Sequence, residues 1–368
     1  MQELQELNLY SNDIGDRGAV ELATVLGDMQ GLTSLNLSLN DIGVDGIRAL
    51  GPALCALTGL KKLSLGSGDL GAGAAHAMRP VLEALMGLEA LDISSCALGD
   101  HGLDVLAPAL ANLTRLEYLE LSHNRISKSE PLRLCLSRMS GLRSLRLGHN
   151  PIGGLCNLAE ILEPLTSLQR LSLASVNLNP GGAESLSRGL QNCSTGLTSL
   201  DLSSNSLIGL SGSHVISALE SLSQLRALDL TRSGLRDSCD KLHSSLSNMC
   251  GLKRLGLGGN DLGPDEAAIL APALGRLIGL ERLGLEENII GDKGASHLAP
   301  GLQRMTSLER INLSKTGIGR QGAVILVPAL LTSMRLMLEM HKEDVIGEFL
   351  HTALRQQKHF TNATPPFS

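Results

Sequence analysis

Residues Gly66-Ser67-Gly68-Asp69-Leu70-Gly71 carry the spacing Gly-x-Gly-x-x-Gly. After a strand and before a helix, that spacing lets backbone amides approach a dinucleotide pyrophosphate. Asp92 stands where the acid that binds a ribose hydroxyl would be sought. A plainer reading competes with this one. Gly66 occupies the slot held elsewhere by Gly148 and Gly258, Gly71 the slot of Gly15, Gly43 and Gly99, and Asp92 the column of Asp201 and Asp229. The motif is read as a by-product of an internal repeat, and no cofactor is expected. His123 and His149 each precede a recurrent asparagine in adjacent repeats, which sets their side chains about 5 Å apart. A metal would need a third ligand, and the flanking Ser95 and Ser175 are poor ones. The pair is read as two solvated histidines. His-Glu-x-x-His, phosphate-loop and nucleophile-elbow sequences are missing, so the chain is expected not to be an enzyme.

The pattern that invites a binding role is basic. Arg254, Arg282 and Arg310 recur at equivalent positions and predict a column at the inter-strand distance, about 5 Å. Gly256, Gly258 and Gly284 should leave the floor beside them bare, with Glu286 and Glu287 offering partial neutralisation. An arginine ladder over a bare floor suits an acidic segment of a protein partner. Arg170, Arg146, Tyr118 and Glu120 occupy equivalent columns nearer the N-terminus and complete the candidate surface. The competing reading is ordinary solvated charge paired with Glu281 and Glu309, worth little. Two strand positions beyond the floor, small residues predominate and only Tyr10 and Glu286 stand out. Scarce aromatic anchors argue against very tight binding.

These side chains need a scaffold that repeats. A Leu-x-x-Leu-x-Leu pattern, with Ile93 and Ile311 as variants, begins at Leu4, Leu32, Leu60, Leu88, Leu116, Leu142, Leu168, Leu197, Leu225, Leu252, Leu280 and Leu308. Most copies lie 28 residues apart, the period of a leucine-rich-repeat solenoid. Within a copy the leucines point inward from a short parallel strand. An asparagine follows at Asn12, Asn40, Asn124, Asn150, Asn205, Asn260 and Asn288, placed to satisfy loop backbone groups of adjacent turns. Segments such as Ile14-Gly15-x-x-Gly18 turn the chain into a helix whose pairs Leu22/Leu26, Leu50/Leu54 and Leu298/Leu302 form one apolar stripe. Pro52, Pro80, Pro108, Pro272, Pro300 and Pro328 fall inside these helices. An interior proline costs about 3 kcal/mol, so the helix either breaks and restarts with proline in a first turn or bends, and a bent outer helix is expected.

This repeat resembles the ribonuclease-inhibitor subtype of leucine-rich repeats, from Leu4 to about Leu330. The resemblance implies an α/β horseshoe of about twelve repeats, with a parallel sheet on the concave face and helices on the convex face. Asn12–Ala19 and Asn288–Ala295, which read Asn-x-Ile-Gly-x-x-Gly-Ala, look most like the repeats of NOD-like innate immune receptors. The expected function is a non-enzymatic protein-interaction scaffold or recognition module of that kind. The alternatives are a GTPase activator resembling the Ran-specific family and a ribonuclease inhibitor. The former family carries an acidic region after its repeats, whereas residues 339–359 here are mixed in charge.

The solenoid is expected to run over residues 1–333, a capping strand and helix over 334–360, and a loose tail over 361–368. Two repeats, from Leu116 and Leu142, are short, so their helices should be short. Gly68 and Val176 replace the asparagine, and local looseness is expected at both. The first repeat lacks a cap, so self-association through the N-terminal end is expected. A net charge of −6 argues against a nucleic-acid partner. Seven cysteines without a Cys-x-x-Cys pair point to reduced thiols in the cytoplasm. No signal peptide is read at Met1, and no apolar run spans a membrane.

Overall fold

A computed structural model describes residues 4–66, 70–193 and 195–331, and the backbone of one further strand at 337–339. Its strands are short: β1 (Glu6–Asn8), β2 (Ser34–Asn36), β3 (Lys62–Ser64), β4 (Ala90–Asp92), β5 (Tyr118–Glu120), β6 (Ser144–Arg146), β7 (Arg170–Ser172), β8 (Ser199–Asp201), β9 (Ala227–Asp229), β10 (Arg254–Gly256), β11 (Arg282–Gly284), β12 (Arg310–Asn312) and β13 (Met337–Glu339). Helices alternate with them: α1 (Gly15–Leu26), α2 (Val44–Ala56), α3 (Gly71–Ala84), α4 (Gly99–Leu110), α5 (Ser129–Leu136), α6 (Leu158–Leu162), α7 (Pro180–Asn192), α8 (Leu210–Leu219), α9 (Cys239–Ser247), α10 (Pro264–Leu274), α11 (Gly291–Leu302) and α12 (Arg320–Leu330). Two compact units divide the chain, Met1–Leu200 and Asp201–Ser368. In the first, β1 to β7 pair parallel in chain order; in the second, β9 to β13 do the same. Strand and helix alternating at this period make the fold a repeat solenoid, as the leucine spacing predicts.

Each repeat contributes the same layer. Leu60, Leu63 and Leu65 of one copy, and Leu280, Leu283 and Leu285 of another, are buried with the leucines of neighbouring copies. Burying one such side chain stabilises by about 1.5–3 kcal/mol, and identical neighbours let the layers stack without voids. The first repeat differs: Leu4, Val20 and Val25 are exposed, although Leu26 is fully buried.

The asparagine ladder forms. Asn150 is fully buried; its Nδ2 donates to the carbonyls of Leu121 and Leu147, both at 2.9 Å, and its Oδ1 accepts from the amides of Asn124 and Ile126, both at 3.0 Å. Asn40, Asn124 and Asn288 repeat the arrangement, and Asn260 does so with a single amide, that of Ser233. Cys96, Ser233 and Thr316 replace its donor half, through Sγ or hydroxyl bonds to carbonyls. Val176 is buried at this position, and Gly68 lies outside the described residues.

A second inter-repeat staple has no counterpart in the sequence reading. Asp16 Oδ1 accepts from the amides of Gly43 (2.7 Å) and Gly46 (2.9 Å), capping the next repeat's helix α2 from outside. Asp292 does the same for Gly319 and Gly322 before α12. Asp100 takes the Ser127 and Lys128 amides where the turn glycines are missing. The signal was present: each of these aspartates follows a turn glycine with positive φ, at Gly15, Gly99 and Gly291.

The prolines decide between the two alternatives, a bend and a restart. Pro52, Pro80, Pro108, Pro272, Pro300 and Pro328 lie inside continuous helices rather than in the first turn of restarted ones. All six are exposed, so the carbonyl that loses its partner can be hydrated instead. The short repeats do carry short helices, α5 and α6. The capping helix and tail expected beyond β13 lie outside the described residues.

Candidate protein-binding surfaces

On a strand, residues two apart share a face, so the side chains opposite the leucines line the open face of each ladder. In the first unit, β5 and β6 set Glu120 directly opposite Arg146. Glu120 is almost fully buried, and its carboxylate holds three groups in place. The Tyr118 hydroxyl and Arg146 Nη1 both donate to Oε2 at 3.4 Å, and the Ser122 amide donates to Oε1 at 2.9 Å. The Arg146 guanidinium also lies 5.7 Å from the centre of the Tyr118 ring, within cation–π range. Burial, then the neighbouring Glu120 charge, pushes the Tyr118 phenol up to about 12. The three residues form an aromatic platform with one fixed acid and one exposed cation.

His123 and His149 stack beside this cluster, ring centres 3.9 Å apart and 11° from parallel. Burial, then the His149 charge, lowers His123. Among the described residues no three His, Cys, Asp or Glu side chains group as metal ligands. Arg170 stands apart, exposed and in register with Ser144. An open groove of about 700 Å³ runs along the strand entrances, walled by Glu89, Glu117, Arg143 and Gln169. Its two acids are paired: Glu117 with Arg143 at 3.4 Å and Glu89 with Lys61, outside the groove, at 3.1 Å.

In the second unit the arginine column forms in register, Arg254 opposite Arg282 and Arg282 opposite Arg310. Arg254 and Arg282 are exposed and make no ion pair among the described residues. Glu281, expected as a partner, instead pairs with Lys253 at 3.0 Å. Glu287 does not neutralise the column either. Arg232 and Lys315 each hold it at 2.8 Å, and these bonds bring its carboxyl down to about 2.

The expected bare floor is covered, because longer neighbouring side chains fold over the glycines. A Cβ added at Gly256 would fall 2.5 Å from Asp229 Oδ1. One at Gly258 would fall 2.4 Å from Glu286 Oε1, and one at Gly284 2.9 Å from Glu286 Oε2. Glu286 Oε2 is buried there without a hydrogen-bond donor. Sequence reasoning placed Glu286 on this face but not its carboxylate over the glycines.

The outer glycines of the Gly-x-Gly-x-x-Gly segment, Gly66 and Gly71, fall on repeat positions. Gly66 is confined by Asp92 Oδ1 and Ser94 Oγ, which lie 3.0 and 2.8 Å from an added Cβ. Asp92 is itself held by the Ser94 amide and hydroxyl. Gly71 has the positive φ of the other turn glycines, and residues 67–69 lie outside the described residues.

Comparison with known proteins agrees with this geometry. A family model described as Leucine Rich repeat matches residues 2–23, 30–51 and 87–107, and another described as Leucine Rich Repeat matches 115–136. A ribonuclease inhibitor from Sus scrofa is 34% identical over 145 residues, which span 38% of this chain and 31% of that protein. The crystal structure of an internalin (inlF) from Listeria monocytogenes shares the fold, with a TM-score of 0.58 at 20% identity over 93% of this chain and 88% of that one. Leucine layers, the asparagine ladder and these matches together identify the chain as a leucine-rich-repeat protein with repeats of the ribonuclease-inhibitor-like type.

Proposed function

We propose that the chain is a non-enzymatic recognition module that holds a protein partner on the open faces of its strand ladders. The observation that carries this reading is the column Arg254–Arg282–Arg310, in register, with two exposed arginines lacking an ion pair among the described residues. Such groups need break no existing ion pair when a carboxylate arrives, and each well-formed charge-assisted contact contributes about 1.5–3 kcal/mol. Tyr118, Glu120 and Arg146, with Arg170 two strands beyond Tyr118, supply a second contact region. A tyrosine already held by its neighbours loses little freedom on binding, and Tyr and Arg are frequent anchors of interfaces.

The same reading puts the chain in the cytoplasm, where its seven free cysteines stay reduced. Among the described residues no helix is long and apolar enough to cross a membrane. Its Asn-x-Ile-Gly-x-x-Gly-Ala segments resemble the repeat module of NOD-like receptors, which suggests an innate immune role. The test is cross-linking capture of a partner by the full chain. Reversing Arg254, Arg282 and Arg310 to Glu should abolish capture, while reversing Lys61 and Lys62 should preserve it. Equal loss from both variants would reduce the surface to diffuse electrostatics.

Ribonuclease inhibition is a second reading, favoured by the Sus scrofa relative. Added protein should then slow RNA cleavage by a pancreatic-type ribonuclease in stoichiometric proportion. No slowing at micromolar protein would remove it.

A further inference from the structure

Across β10, β11 and β12 the three arginines are spaced by the inter-strand distance, about 4.8 Å. A second line of charge, opposite in sign, lies on the same face. Asp229 covers Gly256, two residues along the strand from Arg254, and Glu286 covers Gly258 and Gly284. The two lines are therefore separated by about 7 Å or more. Glu286 Oε2 is buried without a donor, a costly state that an incoming cation or N–H would relieve. The face is thus short of acid at Arg254 and Arg282 and of a donor at Glu286.

We propose that this face binds an α-helix lying across the strands. The helix presents acidic side chains at i, i+4 and i+7 to Arg254, Arg282 and Arg310, and Lys or Arg on the adjoining flank to Asp229 and Glu286. This deepens the scaffold reading above and rests on it. The spacing selects a helix over an extended segment. One helical residue advances about 1.5 Å, so acids at i, i+4 and i+7 span about 10.5 Å against about 9.6 Å for three arginines. Flexible guanidinium stems take up that difference of about 0.9 Å. An extended chain presents same-face side chains every 6.8 Å or so, about 13.6 Å in all, and its third acid misses by about 4 Å. A helix about 10 Å across also matches the separation of the two charge lines, so both can be engaged at once.

The probe is an alanine-based helical peptide with Glu at i, i+4 and i+7 and Lys on the adjoining face. Its control permutes the same residues so that the acids surround the helix. Fluorescence anisotropy with the full chain at low salt should show the striped peptide binding at least tenfold tighter. The variant Arg254→Glu with Arg282→Glu should erase that preference, while Lys61→Glu with Lys62→Glu should keep it. Circular dichroism of both variants checks that the fold survives. Equal affinity for the two peptides overturns the proposal, as does tighter binding of a single-stranded oligonucleotide. Partner capture that depends on Arg254 and Arg282, together with equal peptide affinities, would sink the helix while leaving the scaffold reading intact. Capture indifferent to the arginines would remove both.

Discussion

Replacing Asn150 with alanine should be among the most damaging polar substitutions in the chain. Its side chain makes four bonds of 2.9–3.0 Å and is fully buried. Truncation orphans two backbone donors, the amides of Asn124 and Ile126, and removes a donor from two carbonyls. An unsatisfied buried group costs about 1–3 kcal/mol, so the two amides alone amount to about 2–6 kcal/mol. Water entering the vacated space returns part of that, leaving an expected loss of about 3–4 kcal/mol. The control is Asn12→Ala. Asn12 is exposed, its bonds to the Leu9 and Tyr10 carbonyls are readily replaced by water, and it should lose less than about 1 kcal/mol. Urea unfolding measures both variants. Hydrogen exchange should localise the Asn150 defect to residues 121–126. If Asn150→Ala costs no more than Asn12→Ala, the ladder is not what holds the loops, and the leucine layers alone account for stacking.

Asp292→Ala removes the external cap on α12 and should cost about 1 kcal/mol in urea unfolding, whereas Asp292→Asn, which keeps an acceptor, should cost less. Equal losses would assign the effect to charge. Burial raises the Asp100 carboxyl, but bonds from Ser127 and Lys128 outweigh it and hold the group below its ordinary value. Its stabilisation is therefore complete above the unfolded value, near pH 4, and is lost as pH falls through the lower native value. Asp100→Asn should flatten the acid limb of the stability profile, and an unchanged limb would show that Asp100 does not carry it. Glu120→Gln should lower the Tyr118 titration from about 12, read by ultraviolet difference absorption in a Tyr10→Phe background. An unmoved midpoint would leave burial as the whole cause.

The architecture was legible in the sequence because one period dictates it. A leucine at every layer position can be buried only if consecutive copies stack, and the recurrent asparagine makes sense only between such copies. Strand columns follow from the same period, so Arg254, Arg282 and Arg310, and likewise Glu120 and Arg146, were correctly placed as neighbours. His123 and His149 were adjacent for that reason too. The sequence left the helical prolines between a bend and a restart because a propensity scale charges the lost hydrogen bond in full. Their exposure was a property of the packed helix.

What tertiary structure alone decided is where flexible charged side chains come to rest. Glu281 chose Lys253, and Glu287 chose Arg232 and Lys315, leaving Arg254 and Arg282 without the partners that spacing offered them. Glu286 and Asp229 folded over glycines that seemed to leave a bare floor. Periodicity assigns a residue to a face and a register, because backbone geometry is shared by every repeat. It does not choose among several carboxylates within reach of several cations, since those pairings differ by little energy and depend on three-dimensional crowding.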